Sequence, residues 1–101
     1  MNLIKLDFSK DFDFSLKDIP LKVYFNNEVI IFLEYEKYTG PITLQYLPNG
    51  GIQSLFHGYL IIKVNNGFLK VKKLIYKNIT FSSINFIKEV GEINLINQIL
   101  K

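Results

Sequence analysis

Lysines concentrate in the segment KVNNGFLKVKKL, residues 63–74, around a dipeptide that favours a tight turn. Asn66-Gly67 is a strong short-range signal for a β-hairpin, because both central residues of such a turn need positive φ. A turn there places Lys63 directly opposite Lys70, and like charges opposite each other destabilise a pair of strands. Either an anionic partner offsets this repulsion, or the side chains bend away into water.

The same register sorts the hairpin into an apolar face and a charged face. The apolar face holds Ile62, Val64, Leu69 and Val71. The charged face holds Phe68, Lys63, Lys70 and Lys72. Ammonium groups beside an aromatic ring offer phosphate contacts and a stacking surface, which is the chemistry of single-stranded nucleic-acid binding. The alternative is a solvated face on which Glu34 or Glu36 of a neighbouring strand neutralises the lysines.

Residue types that catalyse reactions or bind metals are sparse. His57 is the only histidine and there is no cysteine, so neither a zinc site nor a catalytic triad is predicted. Four aspartates lie within residues 7–18, but the ligand order and glycine of a calcium-binding loop are missing. We interpret these aspartates as turn formers, caps or solvated side chains. We therefore expect no catalytic residues, no metal and no cofactor.

The bulk composition is that of one small folded domain. With 101 residues, 49% of them hydrophobic, the chain is expected to form a single domain over residues 1–101. The longest apolar runs, residues 29–33 and 59–62, are too short to cross a bilayer, and the N-terminus lacks the apolar stretch of a signal peptide. We expect a cytoplasmic protein without membrane contact.

Charge is distributed unevenly along the chain. Residues 1–56 carry five lysines and seven acidic residues, whereas residues 57–101 carry seven lysines and two acidic residues. This asymmetry favours an anionic partner for the second half. The chain has no arginine, so a nucleic acid would be held at its phosphates without reading its sequence. An AT-rich genome would also account for the missing arginine.

Short alternating segments separated by turn residues predict six to seven strands. They cover residues 2–8, 21–25, 28–36, 42–47, 51–56, 58–64 and 67–76. Asn26-Asn27 suits a two-residue hairpin turn, and the phenylalanine-containing segment before Pro20 predicts an extended arm or a short strand. Lys72-Lys73 breaks the alternation, which indicates a bulge or the end of a strand.

Helical features are confined to the C-terminal part of the chain. Ser82 or Ser83 would cap a helix that ends at Gly91. Its core-facing residues would be Ile84, Phe86 and Ile87. The segment GEINLINQILK, residues 91–101, fits either a second helix or a strand. The predicted fold is mainly β with a minor α+β character, a small OB-like β-barrel or sandwich with one or two short C-terminal helices.

Several consecutive segments carry a family resemblance. They are residues 48–52 (PNGGI), 58–64 (GYLIIKV) and 66–71 (NGFLKV), then Lys77 and Phe86-Ile87. In this order they resemble the C-terminal domain of the methionyl-tRNA formyltransferase family over about residues 21–90. That domain is an OB-like barrel that also occurs in sugar-nucleotide formyltransferases. The glutamine and double lysine of the family signature are replaced here by Ile75-Tyr76-Lys77-Asn78.

The resemblance implies a tRNA-contacting or spacing domain whose barrel carries basic residues. Those at the matching positions are Lys63, Lys70, Lys72, Lys73 and Lys77. In that family the formyl-transfer chemistry belongs to a separate N-terminal domain with asparagine, histidine and aspartate. Nothing of that domain is present, so the resemblance implies no catalytic activity for this chain.

Two functions follow as hypotheses. The first is a non-enzymatic module that binds RNA or another polyanion through Lys63, Phe68, Lys70, Lys72, Lys73 and Lys77. The second is a small protein–protein interaction or inhibitor protein, for example one encoded by a mobile element, that binds a larger host enzyme. It would use an exposed edge strand or an aromatic patch from Tyr38, Tyr46, Tyr59 and Phe68.

Overall fold

The structure, a computed structural model, describes residues 3–41, 47–54, 58–96 and 98–101. These residues form seven strands followed by two short helices. The strands are β1 (Ile4–Lys5), β2 (Leu21–Phe25), β3 (Glu28–Lys37), β4 (Ile52–Ser54), β5 (Leu60–Val64), β6 (Gly67–Tyr76) and β7 (Ile79–Ser82). The helices are α1 (Ser83–Val90) and α2 (Glu92–Leu95). The predicted mainly β class with two short C-terminal helices is confirmed.

The seven strands belong to one sheet with the order β1-β2-β3-β6-β5-β4, and β7 also pairs with β6. β1 runs parallel to β2, and the other pairings between these strands are antiparallel. The two ends of the order, β1 and β4, do not pair with each other. Within the described ranges, strand pairing therefore leaves the sheet open, and the barrel and its OB-like assignment remain predictions.

Strand β6 is the centre of this sheet because three strands pair with it. β3 lies along one edge, while β5 and β7 share the other edge, opposite residues 67–71 and 73–76 respectively. Lys72 and Lys73 are both exposed where the partner changes, and the register with β3 shifts at the same level. The predicted bulge is confirmed, although the strand itself continues beyond it.

Two of the hairpin turns use residues with positive φ. Asn26 and Asn27 have φ values of 49° and 65° between β2 and β3, as the sequence predicts. Lys77 and Asn78, with φ values of 51° and 63°, form an equivalent turn between β6 and β7. The sequence analysis missed β7, because lysine is an unusual residue at positive φ.

The turn between β5 and β6 differs from the prediction by one residue. Val64 pairs with Gly67, so the turn consists of Asn65-Asn66, and neither asparagine has positive φ. Lys63 consequently lies opposite Phe68, and Lys70 lies opposite the buried Ile61. The predicted Lys63–Lys70 pair is wrong, whereas the predicted apolar face is buried as expected.

The side chain of Asn66 provides the physical reason for this shift. Its Oδ1 accepts a hydrogen bond from the Phe12 backbone N–H at 2.8 Å, and its Nδ2 donates to the Phe12 carbonyl at 3.0 Å. This pair of bonds requires Asn66 at the tip of the hairpin, facing the N-terminal arm. The segment before Pro20 is indeed an arm, and the first strand is shorter than predicted.

Helix α1 covers the core face of the sheet. Ser82 caps its N-terminus by accepting from the Asn85 N–H, and Gly91 at φ 93° ends it, as predicted. Phe86 and Ile87 are buried, with the Phe86 ring edge-on to Tyr76 at 5.2 Å, whereas Ile84 is 48% exposed, so its predicted core position is wrong. The buried Ser83 hydroxyl donates to the Val71 carbonyl, where the pairing between β5 and β6 ends.

The C-terminal residues 98–101 are extended and hydrogen-bond to both halves of the chain. The Leu100 N–H donates to the Gly50 carbonyl, and Tyr24 exchanges two backbone hydrogen bonds with Lys101. A Cβ atom at Gly50 would collide with the Leu100 carbonyl oxygen, so this close approach requires glycine. The segment that fitted a helix or a strand is thus helical at residues 92–95 and extended at its end.

Candidate polyanion-binding surface

The predicted site residues lie along β6 and the elements next to it. Lys63 belongs to β5, the residues from Phe68 to Lys73 belong to β6, and Lys77 belongs to the turn that follows. Alternation along β6 sends Leu69 and Val71 into the core, so Phe68, Lys70 and Lys72 point to the outward side of the sheet. We call Tyr59, Lys63, Phe68, Lys70 and Lys72 the hairpin surface.

Glu36 of β3 lies between two lysines of this surface. Its Oε1 is 3.0 Å from the Lys72 Nζ and 3.6 Å from the Lys70 Nζ. The hydrogen bond from Lys72 holds the pKa of Glu36 below its usual range, and the same bond raises the pKa of Lys72. Glu36, Lys70 and Lys72 together carry one net positive charge. Of the two glutamates expected to neutralise these lysines, Glu36 is the one that contacts them.

Aromatic rings accompany the ammonium groups of the hairpin surface. The Lys70 Nζ lies 4.3 Å from the centroid of the Tyr59 ring, and the Lys63 Nζ lies 5.9 Å from that of Phe68. The pairing of Lys63 with Phe68 follows from their cross-strand register. Lys63 also donates to the Asn49 Oδ1 at 3.2 Å. Tyr59 was foreseen only as an exposed aromatic, since no strand pairing predicts its contact with Lys70.

Lys73 and Lys77 lie apart from these ring contacts. Lys77 is 3.6 Å from Glu28, whose other carboxylate oxygen accepts a hydrogen bond from the Tyr76 hydroxyl at 3.2 Å. Burial, followed by this hydrogen bond to Glu28, raises the pKa of Tyr76. Lys73 faces Glu34 in the strand register without forming an ion pair within 4 Å in the part of the chain that is described. The structure thus separates Lys73 and Lys77 from the other predicted site residues, which belong to the hairpin surface.

The hairpin tip holds the N-terminal arm through polar side chains. Asn65 donates to the Asp11 carboxylate at 2.5 Å, beside the contacts of Asn66 with Phe12. Asn49 donates to the Phe8 carbonyl at 2.9 Å. The sequence analysis missed these contacts, for which the only signal is the number of asparagines near the two turns. The tip is therefore occupied, and the surface open to a ligand lies along the strands.

The arm itself is shaped by two Asp-Phe-Ser turns. Asp7 and Asp13 each accept hydrogen bonds from the backbone and the hydroxyl of the serine two residues later. These bonds, the hydroxyl contribution being the larger, hold the pKa of both aspartates below its usual range. For these two residues the predicted role as turn formers is confirmed.

A separate apolar groove opens on the outward side of β3 and β6. It has a volume of about 310 Å³ and is lined by Glu28, Val29, Ile31, Ile75, Lys77 and Asn78. Ile31 pairs with Ile75 across the two strands, and Val29 is 40% exposed. The groove is an apolar strip with a charged residue of each sign at its rim.

Other candidate residues are distributed without forming a site. His57, Tyr46 and most of the predicted strand 42–47 lie outside the described residues, and the Tyr38 hydroxyl donates to the Pro41 carbonyl. Among the residues that are described, no three histidine, aspartate or glutamate side chains are grouped to hold a metal ion. None of the described helices has the length and apolar character needed to span a bilayer.

Comparisons with known proteins do not assign the chain to a family. No protein-family model matches the chain, and no curated protein matches it. The resemblance to the C-terminal domain of the methionyl-tRNA formyltransferase family stays a prediction, carried by the segments in which it was found.

Proposed function

We propose that this protein is a non-catalytic module that binds RNA or another polyanion through the hairpin surface. The observation that carries the proposal is the pairing of ammonium groups with rings, Lys63 with Phe68 and Lys70 with Tyr59. Rings stack on bases and ammonium groups contact phosphates, so one strand pair supplies both kinds of contact. Because the cations are all lysines, the module would bind without reading sequence.

Glu36 would act as a competitor that a polyanion displaces. Its ion pairs with Lys70 and Lys72 are between side chains that are about a quarter to a half exposed. Such exposed pairs contribute only about 0–1 kcal/mol, so exchanging the carboxylate for phosphates costs little. A phosphate chain passing along β6 would then meet Lys63, Lys70 and Lys72 in turn.

The test is binding of a fluorescently labelled oligouridylate, followed by anisotropy over a series of salt concentrations. Contacts from three lysines should make log K fall against log salt with a slope of about −2, since each phosphate contact in a single strand contributes roughly −0.7. Replacing Lys63, Lys70 and Lys72 with glutamine should abolish that slope. Glu36→Gln should strengthen binding, because it removes the competing carboxylate.

Lys88→Gln is the matched control, because Lys88 is an exposed lysine in the last turn of α1. It removes one positive charge from a different face and should leave binding nearly unchanged. Salt-independent binding, or a triple variant that binds like the parent protein, would overturn the proposal.

A second candidate function is protein binding through the apolar groove. The observation that favours it is the solvent-facing strip of Val29, Ile31 and Ile75, since a module of this kind buries apolar side chains against its partner. A small inhibitor of a larger host enzyme would present such a strip together with Tyr59 or Phe68. This function requires one stoichiometric protein partner that is retained after nuclease treatment.

The groove residue Ile31 gives a direct test. Ile31→Ser should release the partner, whereas Ile93→Ser, at a side chain 89% exposed on α2, should not. Equal retention of the partner by both variants would exclude the groove as the interface.

A further inference from the structure

Two lysines lie side by side at the β1–β2 edge of the sheet. The parallel register of these strands pairs Lys5 with Lys22. Both ammonium groups approach one aromatic ring, with the Lys5 Nζ at 5.4 Å and the Lys22 Nζ at 5.2 Å from the Tyr24 centroid. The juxtaposition of like charges that the sequence predicted for the hairpin therefore occurs here, at a different pair of strands.

Neither of these two charges has an ion-pair partner within the described parts of the chain, although the charge of Lys5 makes a minor contribution to the lowered pKa of Asp7. Neither lysine has an acidic oxygen within 4 Å there, in contrast to Lys70 and Lys72. Lys5 donates to the neighbouring Leu6 carbonyl at 3.0 Å, which adds no negative charge. Asp7, the nearest acid along the chain, accepts two hydrogen bonds from Ser9 and lies 4.0 Å from Lys10. An anion is the ligand that would relieve this repulsion.

A hollow lined in part by Tyr24 adds polar residues that can contact a ligand larger than an inorganic anion. It has a volume of about 420 Å³ and is lined by Tyr24, Asn26, Asn27, Gln98, Ile99 and Lys101. The positive φ of both asparagines places them in the turn just beyond Tyr24. The residues that line the hollow therefore include a tyrosine, three residues of the amide type and a third lysine. Amides offer both donors and acceptors to the edge of a heterocycle.

We infer that Lys5, Lys22 and Tyr24 form a binding site for a nucleotide. The two ammonium groups hold the phosphate, the Tyr24 ring stacks on the base, and amides of the hollow bond to the base edge. A base–aromatic stack needs no particular sequence, and the phosphate restores charge balance between β1 and β2. The site shares no residue with the hairpin surface, so the inference does not rest on the proposed function.

The experiment is calorimetric titration of the protein with AMP at low salt, with inorganic phosphate and ribose 5-phosphate as ligands that lack the base. AMP should bind more tightly than either, because only AMP can stack. Lys22→Gln and Tyr24→Leu should each weaken AMP binding, and the loss of the stacked ring in Tyr24→Leu should lower the affinity roughly tenfold. Unchanged far-ultraviolet circular dichroism and thermal unfolding would show that both variants are folded.

Lys63→Gln serves as the matched control, and it should leave AMP affinity unchanged while weakening the oligouridylate of the preceding test. A 5′-phosphorylated trinucleotide distinguishes the two sources of this ligand. The comparison uses the variant with Lys63, Lys70 and Lys72 replaced by glutamine, so that the hairpin surface does not hold the oligonucleotide. Tighter binding of the trinucleotide than of AMP then assigns the site to nucleic-acid ends, and equal binding assigns it to free nucleotides. Absence of AMP binding at millimolar concentration, or an affinity that neither Lys22→Gln nor Tyr24→Leu lowers, would overturn the inference.

Discussion

At the scale of single residues, Glu36 decides how positive the hairpin surface is. Among the described residues, it is the one acid in contact with two of its lysines, and it belongs to a neighbouring strand rather than to the hairpin itself. Sequence alone narrows the choice to Glu34 or Glu36, because both lie near the end of the same strand. The bulge in the pairing of β3 with β6 determines which glutamate contacts the hairpin surface, since Glu36 lies opposite Lys70 while Glu34 lies opposite Lys73.

The lowered pKa of Glu36 predicts how its contribution to stability depends on pH. Because the folded state holds this pKa below the ordinary value of 4.5, the contribution is complete above that value and is lost as pH falls through the folded pKa. Glu36→Gln should therefore be less stable than the parent protein at pH 7, with the difference shrinking towards pH 3. Urea unfolding at both pH values measures this difference.

Glu89→Gln is the control for this pH experiment, because Glu89 is exposed on α1 and forms no ion pair within 4 Å among the described residues. Its difference from the parent should be small at both pH values. A Glu36→Gln difference that stays constant or grows on acidification would contradict the assigned ion pairs.

At the scale of elements, periodicity predicted the strands better than their registers. The bounds of β2 and β6 follow from alternation and flanking turn residues, and both match the prediction. The turn at Asn65-Asn66 does not follow, because its position depends on contacts with Phe12, 54 residues earlier in the chain. Asn66-Gly67 has the stronger local preference for the tip, but contacts with a distant backbone segment place the turn at Asn65-Asn66 instead.

The contacts of Asn66 predict that the N-terminal arm depends on this side chain. Asn66→Ala removes both hydrogen bonds to Phe12 and should lower the free energy of unfolding by about 1–2 kcal/mol. The arm should also detach more often, so trypsin should cleave faster after Lys10 and Lys17. Time courses of proteolysis under native conditions, followed by mass spectrometry, measure this effect.

Asn85→Ala provides the comparison, because the Asn85 side chain is exposed on α1. Cleavage within the arm should be as slow in this variant as in the parent protein. If Asn66→Ala also leaves the arm fully protected, apolar burial of Phe12 holds the arm without help from the hairpin tip.

At the scale of the whole molecule, residues 98–101 connect parts that strand pairing leaves separate. They hydrogen-bond to residues 50–52 on one side and to Tyr24 of β2 on the other. The sequence of residues 91–101 allowed either a helix or a strand. Ile93, Ile96 and Leu100 have helical spacing, whereas Ile93, Leu95 and Asn97 fit the spacing of a strand. Only the neighbouring backbones decide the outcome, and these lie about 50 and 75 residues earlier in the chain.

The burial of Leu100 predicts how much this side chain contributes to the free energy of unfolding. Leu100 is 2% exposed and packs in the core, so Leu100→Ala should cost about 2–4 kcal/mol. Ile93→Ala removes a side chain that is 89% exposed and should change stability by less than about 0.5 kcal/mol. Chemical denaturation of the two variants provides the comparison. Similar losses in both would show that the C-terminal segment contributes nothing specific to the core.

Strand β6 pairs with β5 along its first half and with β7 along its second half, which makes it sensitive to an inserted residue. Residues 67–71 are matched to β5 and residues 73–76 to β7, and the consecutive outward residues Lys72 and Lys73 at this boundary set the phase of each half. A single-residue insertion at Lys72-Lys73 would keep one half in place and turn the other over. Leu74 and Tyr76 would then exchange the interior for water. Exposed loops generally tolerate insertions, whereas an inserted residue in the middle of this strand would expose part of the core.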